Sequence, residues 1–97
     1  MATFIVLSKF TDQGVKSLAD FKRDAQANME RSKQLGITNK GVYLTQGRYD
    51  MVIVAEAPDA ETILAMAAGV AGKGLMRPET LRAFTLEEAE KVLSRLG

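Results

Sequence analysis

"TQGRYDMVIVAEA", residues 45–57, turns from a polar, glycine-bearing stretch into a run that is apolar on both sides. Successive side chains of a strand point to opposite faces, so Met51, Ile53 and Ala55 share one side while Val52 and Val54 share the other. An antiparallel sheet with one wet face alternates apolar and polar residues. This strand does not alternate. It therefore predicts a central strand whose two faces are both covered. Tyr49 and Asp50 sit where the turn becomes the strand, either as a catalytic pair or as parts of the hairpin that aligns two strands.

Upstream, "GVYLTQG" (residues 41–47) reads as a second strand, separated from the first only by the segment around Gly47 and Arg48, which suits a tight hairpin. "TFIVLSKF" (residues 3–10) is another strand without alternation, with Phe4, Val6 and Phe10 opposed to Ile5 and Leu7. Between these strands the apolar period lengthens from Val15 through Leu18, Phe21, Ala25 and Met29 to Leu35. One long amphipathic helix is predicted, closed by Gly36. Downstream, Pro58 breaks the strand and Asp59 is placed to cap a helix over residues 60–72. "LMRPETLRAFT" (residues 75–85) predicts an edge strand because of its proline. Thr85 and Glu88 form a capping-box pattern ahead of a last helix.

The order is βαββαβ plus a C-terminal helix. Right-handed crossovers make this an α+β, ferredoxin-like arrangement: a four-stranded antiparallel sheet, helices on one face, the first and third strands central. Two helices shield one side only. The other side needs the last helix or a second copy of the chain, and the second copy is expected because the apolar face is wider than one short helix covers. The whole of residues 1–97 reads as one domain.

Composition narrows the chemistry. Thirteen basic and 12 acidic residues leave a formal net charge of +1, with no basic field to hold nucleic acid. There are no cysteines and no histidines, which excludes disulfides, thiolate catalysis, thiolate or imidazole metal sites and the usual haem ligand. No metal or cofactor is expected, and proton transfer falls to carboxylates, Tyr, Lys and Arg. The amino terminus lacks the pattern of a signal peptide, and no apolar run approaches the roughly 20 residues that span a bilayer. The expected location is cytoplasmic.

The stretch "TQGRYDMVIVAEAPDAE", with its Gly-x-Tyr-Asp core, and "RPETLRAFT" about 30 residues later resemble the GYD domain family, and the resemblance runs from "TFIVLSKFTDQG" to the final strand. It implies a ferredoxin-like dimeric α+β barrel. The families grouped with it include cofactor-free monooxygenases, muconolactone-type isomerases, haem enzymes and amino-acid-sensing domains, and fold alone does not choose among them. The missing histidine counts against the haem branch.

Candidate site residues follow from position. Asp50 is brought toward Lys9 and Arg77, where it serves as an ion-pair anchor. In a functional reading Tyr49 donates a hydrogen bond to a substrate oxygen and Asp50 takes a proton, although strand alternation sets them on opposite faces. Asn28, beside the apolar stripe of the first helix, reads as a half-exposed or backbone-bonded amide; turned inward, it is the one best placed to grip a ligand oxygen, with Arg48, Tyr49 and Arg77 as further ligand contacts. Glu56 is expected to pair with Arg82. "AAGVAGKG" (residues 67–74) reads as a glycine-rich helix exit, since its spacing and its place after a helix are wrong for a phosphate loop. Met29, Met51, Met66 and Met76 suit core filling, or the lining of an adaptable cavity.

These readings favour a small homo-oligomer, self-associated through its sheet face, that binds a small apolar or aromatic ligand between helices and sheet. The alternatives are a cofactor-independent monooxygenase or isomerase and a structural assembly subunit.

Overall fold

The computed structural model describes residues 1–97. Four antiparallel strands, β1 (Ala2–Phe10), β2 (Thr38–Leu44), β3 (Met51–Ala57) and β4 (Met76–Ala83), form one sheet in the order β2-β3-β1-β4. The helices are α1 (Asp12–Lys16), α2 (Phe21–Gln34), α3 (Ala60–Gly72) and α4 (Leu86–Leu93). This is the ferredoxin-like α+β arrangement with an added C-terminal helix. β1 and β3, the strands without alternation, are the central pair, and the proline-bearing β4 is an edge.

The core lies where α3 meets the helix-covered side of the sheet: Phe4, Ala55 and Ala57 below, Ile63 and Met66 above, with Ile37 closing one end. α3 begins as its sequence dictates. Asp59 accepts hydrogen bonds from the backbone N–H and the hydroxyl of Thr62, at 2.8 and 2.6 Å. Those bonds hold the Asp59 carboxyl below its ordinary value of 3.8. Past the end of α2, Gly36 takes φ +80° and the Ile37 N–H reaches back to the Ser32 carbonyl, tucking Ile37 into the core.

Three boundaries differ from the sequence reading. The long first helix is divided into α1, a 3₁₀ turn (Leu18–Asp20) and α2, with Ser17 outside helical geometry. The cause is tertiary. Thr11 donates its N–H to the Leu75 carbonyl and its hydroxyl to the Gly74 carbonyl. Gly14 lies so close that a Cβ there would stand 2.1 Å from the Leu75 oxygen. The start of the helix is thus pinned to the entry of β4, and Val15 and Leu18, expected on the buried stripe, are 54% and 48% exposed. β2 comes earlier than residues 41–47 and carries a bulge between Asn39 and Gly41. β3 starts at Met51, two residues later than the Tyr49–Ala57 strand that the sequence suggests, because the chain leaves the ladder at Asp50.

The other side of the sheet is bare. Ile5 stands opposite Val54 and Leu81, and Leu7 opposite Val52, all facing away from α2 and α3. α4 does not cover them. It opens with the expected capping box, Thr85 and Glu88 bonding each other's backbone N–H, and then projects from the sheet, leaving Leu86 87% and Leu96 83% exposed. The chain measures 52 × 31 × 19 Å.

Candidate functional site

Two polar constellations flank the sheet, one on each side. The first is built on the Gly-x-Tyr-Asp motif. Gly47 takes φ +108°, a turn conformation that side chains resist, and this lets the chain reverse between β2 and β3. Thr45 closes the reversal twice, its N–H donating to the Asp50 carbonyl and its hydroxyl to the Tyr49 carbonyl at 2.6 Å. Asp50 then joins the hairpin to β1. Its N–H donates to the Ser8 carbonyl, and its carboxylate accepts the Phe10 N–H at 2.8 Å. Asp50 is an anchor, as one reading of the sequence had it, but it binds backbone; it forms no ion pair with Lys9 or Arg77.

Tyr49 swings to the bare side of the sheet and donates its hydroxyl to Glu79 at 2.8 Å, with the Lys9 ammonium 5.7 Å from its ring centroid. The bond to Glu79 raises the phenol above 10.0, and Arg48 opposes the shift weakly. A phenol so held is a donor and a poor base. Arg77 stands opposite Lys9 in the β1–β4 register, so Lys9, Arg48, Tyr49, Arg77 and Glu79 make one mixed-charge corner of the bare face. Glu56 pairs with Lys40 at 3.7 Å. Arg82, its expected partner, reaches Glu88 and the Thr3 carbonyl instead.

The second constellation is a cleft between α2, α3 and the helix-covered side of the sheet. α2 stands off the sheet and touches chiefly β2 and α3. The space left beneath it gives water-sized molecules about 120 Å³ for their centres, and about 1100 Å³ of empty volume when its open mouth is included. Val6, Ile53 and Val70 line it with all four of Met29, Met51, Met66 and Met76. Such a surface is adaptable, because unbranched thioethers repack at low cost. Polar groups enter at a few points: Ser8 on the floor, Asp24, Asn28 and Ser32 along α2, and Lys73 at the exit of α3. Lys73 Nζ donates to Asn28 Oδ1 at 3.0 Å, and Ser32 donates to the Asn28 carbonyl.

Of Asn28, Arg48, Tyr49, Asp50 and Arg77, the polar candidates named from sequence, the cleft takes Asn28 alone. Arg48, Tyr49, Asp50 and Arg77 lie outside it, so the structure does not bring Asn28 together with the motif. Sequence reasoning passed over Ser8 and Asp24, and it set Lys73 aside together with the phosphate-loop reading of residues 67–74. For Asp24 a signal existed: it precedes Asn28 by four residues, the spacing of one helix face. No cluster of three or more acidic side chains is placed to hold a metal ion. No helix is long and apolar enough to cross a membrane.

Comparison with known proteins agrees with the motif. The family model described as the GYD domain matches residues 4–93. A protein of Thermus thermophilus, named glutamine synthetase and cystathionine beta-lyase binding protein, is 35% identical over 89 residues, covering 91% of this chain and 94% of the relative. No solved structure matches. With its Gly-x-Tyr-Asp hairpin inside a match that spans nearly every element, the chain belongs to the GYD domain family.

Proposed function

We propose that the chain is a binding protein without chemistry of its own, self-associated through the bare sheet face, which holds a small, mostly apolar ligand in the helix–sheet cleft. The observation that carries this reading is the cleft: an open space walled by thioether and aliphatic side chains, with a few polar groups converging at one side, is the usual form of a small-molecule site. The motif supports it by being otherwise engaged. Tyr49 and Asp50 are committed to Glu79 and to the β1 backbone, so neither serves as a proton carrier inside the cleft. The relative's name adds protein partners to the proposal, and the projecting α4 offers a surface for them.

An environment-sensitive apolar dye tests the reading. The protein enhances its fluorescence, small apolar compounds displace it, and Ala25→Phe, which fills the cleft from α2, abolishes uptake while the circular dichroism is retained. Full uptake by Ala25→Phe defeats the assignment to the cleft. The enzymatic alternative, a cofactor-independent monooxygenase or isomerase, rests on Asp24 and Asn28 lying one helical turn apart on the cleft wall. It requires turnover that Asp24→Asn removes.

A further inference from the structure

The cleft has an apolar body, and its polar side carries one group of each sign. Lys73 Nζ, an ammonium with three donors, is bonded to the neutral Asn28 Oδ1 at 3.0 Å and has no carboxylate within ion-pair distance. The Asn28 amide nitrogen adds donors beside it. Asp24 is one turn earlier on the same face of α2, about 6 Å away along the helix axis. Its carboxylate is likewise in no ion pair, the three pairs of the chain being Arg23–Asp20, Lys40–Glu56 and Arg82–Glu88. Both charges border a cavity whose other walls are Met51, Ile53, Met66 and Val70.

Charge accounting then selects the ligand. A neutral apolar molecule offers neither the half-buried Asp24 carboxylate nor the exposed Lys73 ammonium a partner of opposite charge. An apolar carboxylate satisfies Lys73 but brings its charge within a turn of Asp24, and an apolar amine has the converse fault. A doubly charged phosphate is disfavoured further by the carbonyl ends of α3, which terminates at Lys73. Only a molecule bearing both charged groups on one carbon, with an apolar substituent, meets every group. We propose that the ligand of the cleft is an apolar α-amino acid. Its carboxylate lies on Lys73 and the Asn28 amide, its ammonium on Asp24, and its side chain among the methionines. The proposal deepens the reading of the cleft as a ligand site and rests on it.

Isothermal titration of the full chain compares L-leucine and L-methionine with 4-methylpentanoate, 3-methylbutylamine and 3-methylbutanol. The expected result is that the amino acids bind at least tenfold tighter than the acid, the amine or the alcohol. Lys73→Met and Asp24→Asn should each weaken L-leucine at least tenfold while leaving the alcohol unchanged, which also certifies that the variants are folded. The acid or the amine equalling L-leucine overturns the proposal, as does L-leucine binding that neither substitution changes; the cleft as a ligand site survives both outcomes. Failure of all five compounds to bind, with no dye taken up, removes the cleft reading and this proposal together.

Discussion

Asp50 ends the β1–β3 ladder by replacing a backbone acceptor with a carboxylate, and the consequence of its loss is specific. In Asp50→Ala the partly buried Phe10 N–H has no acceptor, a defect that costs about 1–3 kcal/mol. Urea unfolding should show that loss, and Asp50→Asn, which retains an acceptor oxygen, should recover most of it. A variant of unchanged stability with altered ligand binding would assign the residue to function instead. The neighbouring phenol gives a pH signature. Because the bond to Glu79 raises Tyr49 in the folded chain, the neutral phenol contributes stability below pH 10.0, and that contribution is lost as pH rises through the higher folded value. Ultraviolet titration should place its ionisation above that of a free tyrosine, and Glu79→Gln should bring it back down.

Among the elements, α4 stands apart. Its capping box is complete, and the Thr85 backbone N–H holds the Glu88 carboxyl below its ordinary 4.5, so the helix start is favoured above that pH and weakens as pH falls through the lower value. Yet a helix of eight residues without a packed face is marginal in water. Its amides should exchange rapidly in dilute protein, and Thr85→Ala should lower helicity while leaving the sheet's unfolding transition in place. How far the elements were legible follows the same physics. The capping box of α4, the Asp59 cap of α3, the glycine exit of α2 and the apolar strands are local signals, and each was readable from a few adjacent residues. The break at Ser17 was not, because its cause is the Leu75 carbonyl, some sixty residues away. The placement of Tyr49 misled for a related reason. Strand alternation applies only within the ladder, and the ladder begins two residues later, so the side chain turns to Glu79. Asn28 was read as a helix-face amide that grips a ligand only if turned inward, and Lys73 was weighed only as part of a phosphate loop, which its glycine spacing ruled out.

On the scale of the whole molecule, the chain is larger than a compact one should be. Its radius of gyration is 14.7 Å, against about 12–13 Å expected for this length. A projecting helix and a bare apolar sheet in one small chain call for a second surface. Ultracentrifugation should find a dimer or larger species, and Val54→Lys, at the middle of the bare face, should yield a folded monomer. A wild-type monomer at high concentration would remove self-association from the proposed function. The position of β1 between β3 and β4 has a further effect, on synthesis. The bonds joining β1 to its neighbours span from 40 residues, Phe10 to Asp50, up to 79, Thr3 to Arg82. At ordinary elongation rates even the nearer partner leaves the ribosome about 2–8 s behind. For that interval the nascent strand is sticky along both margins, the kind of emerging hydrophobic segment that chaperones exist to shield.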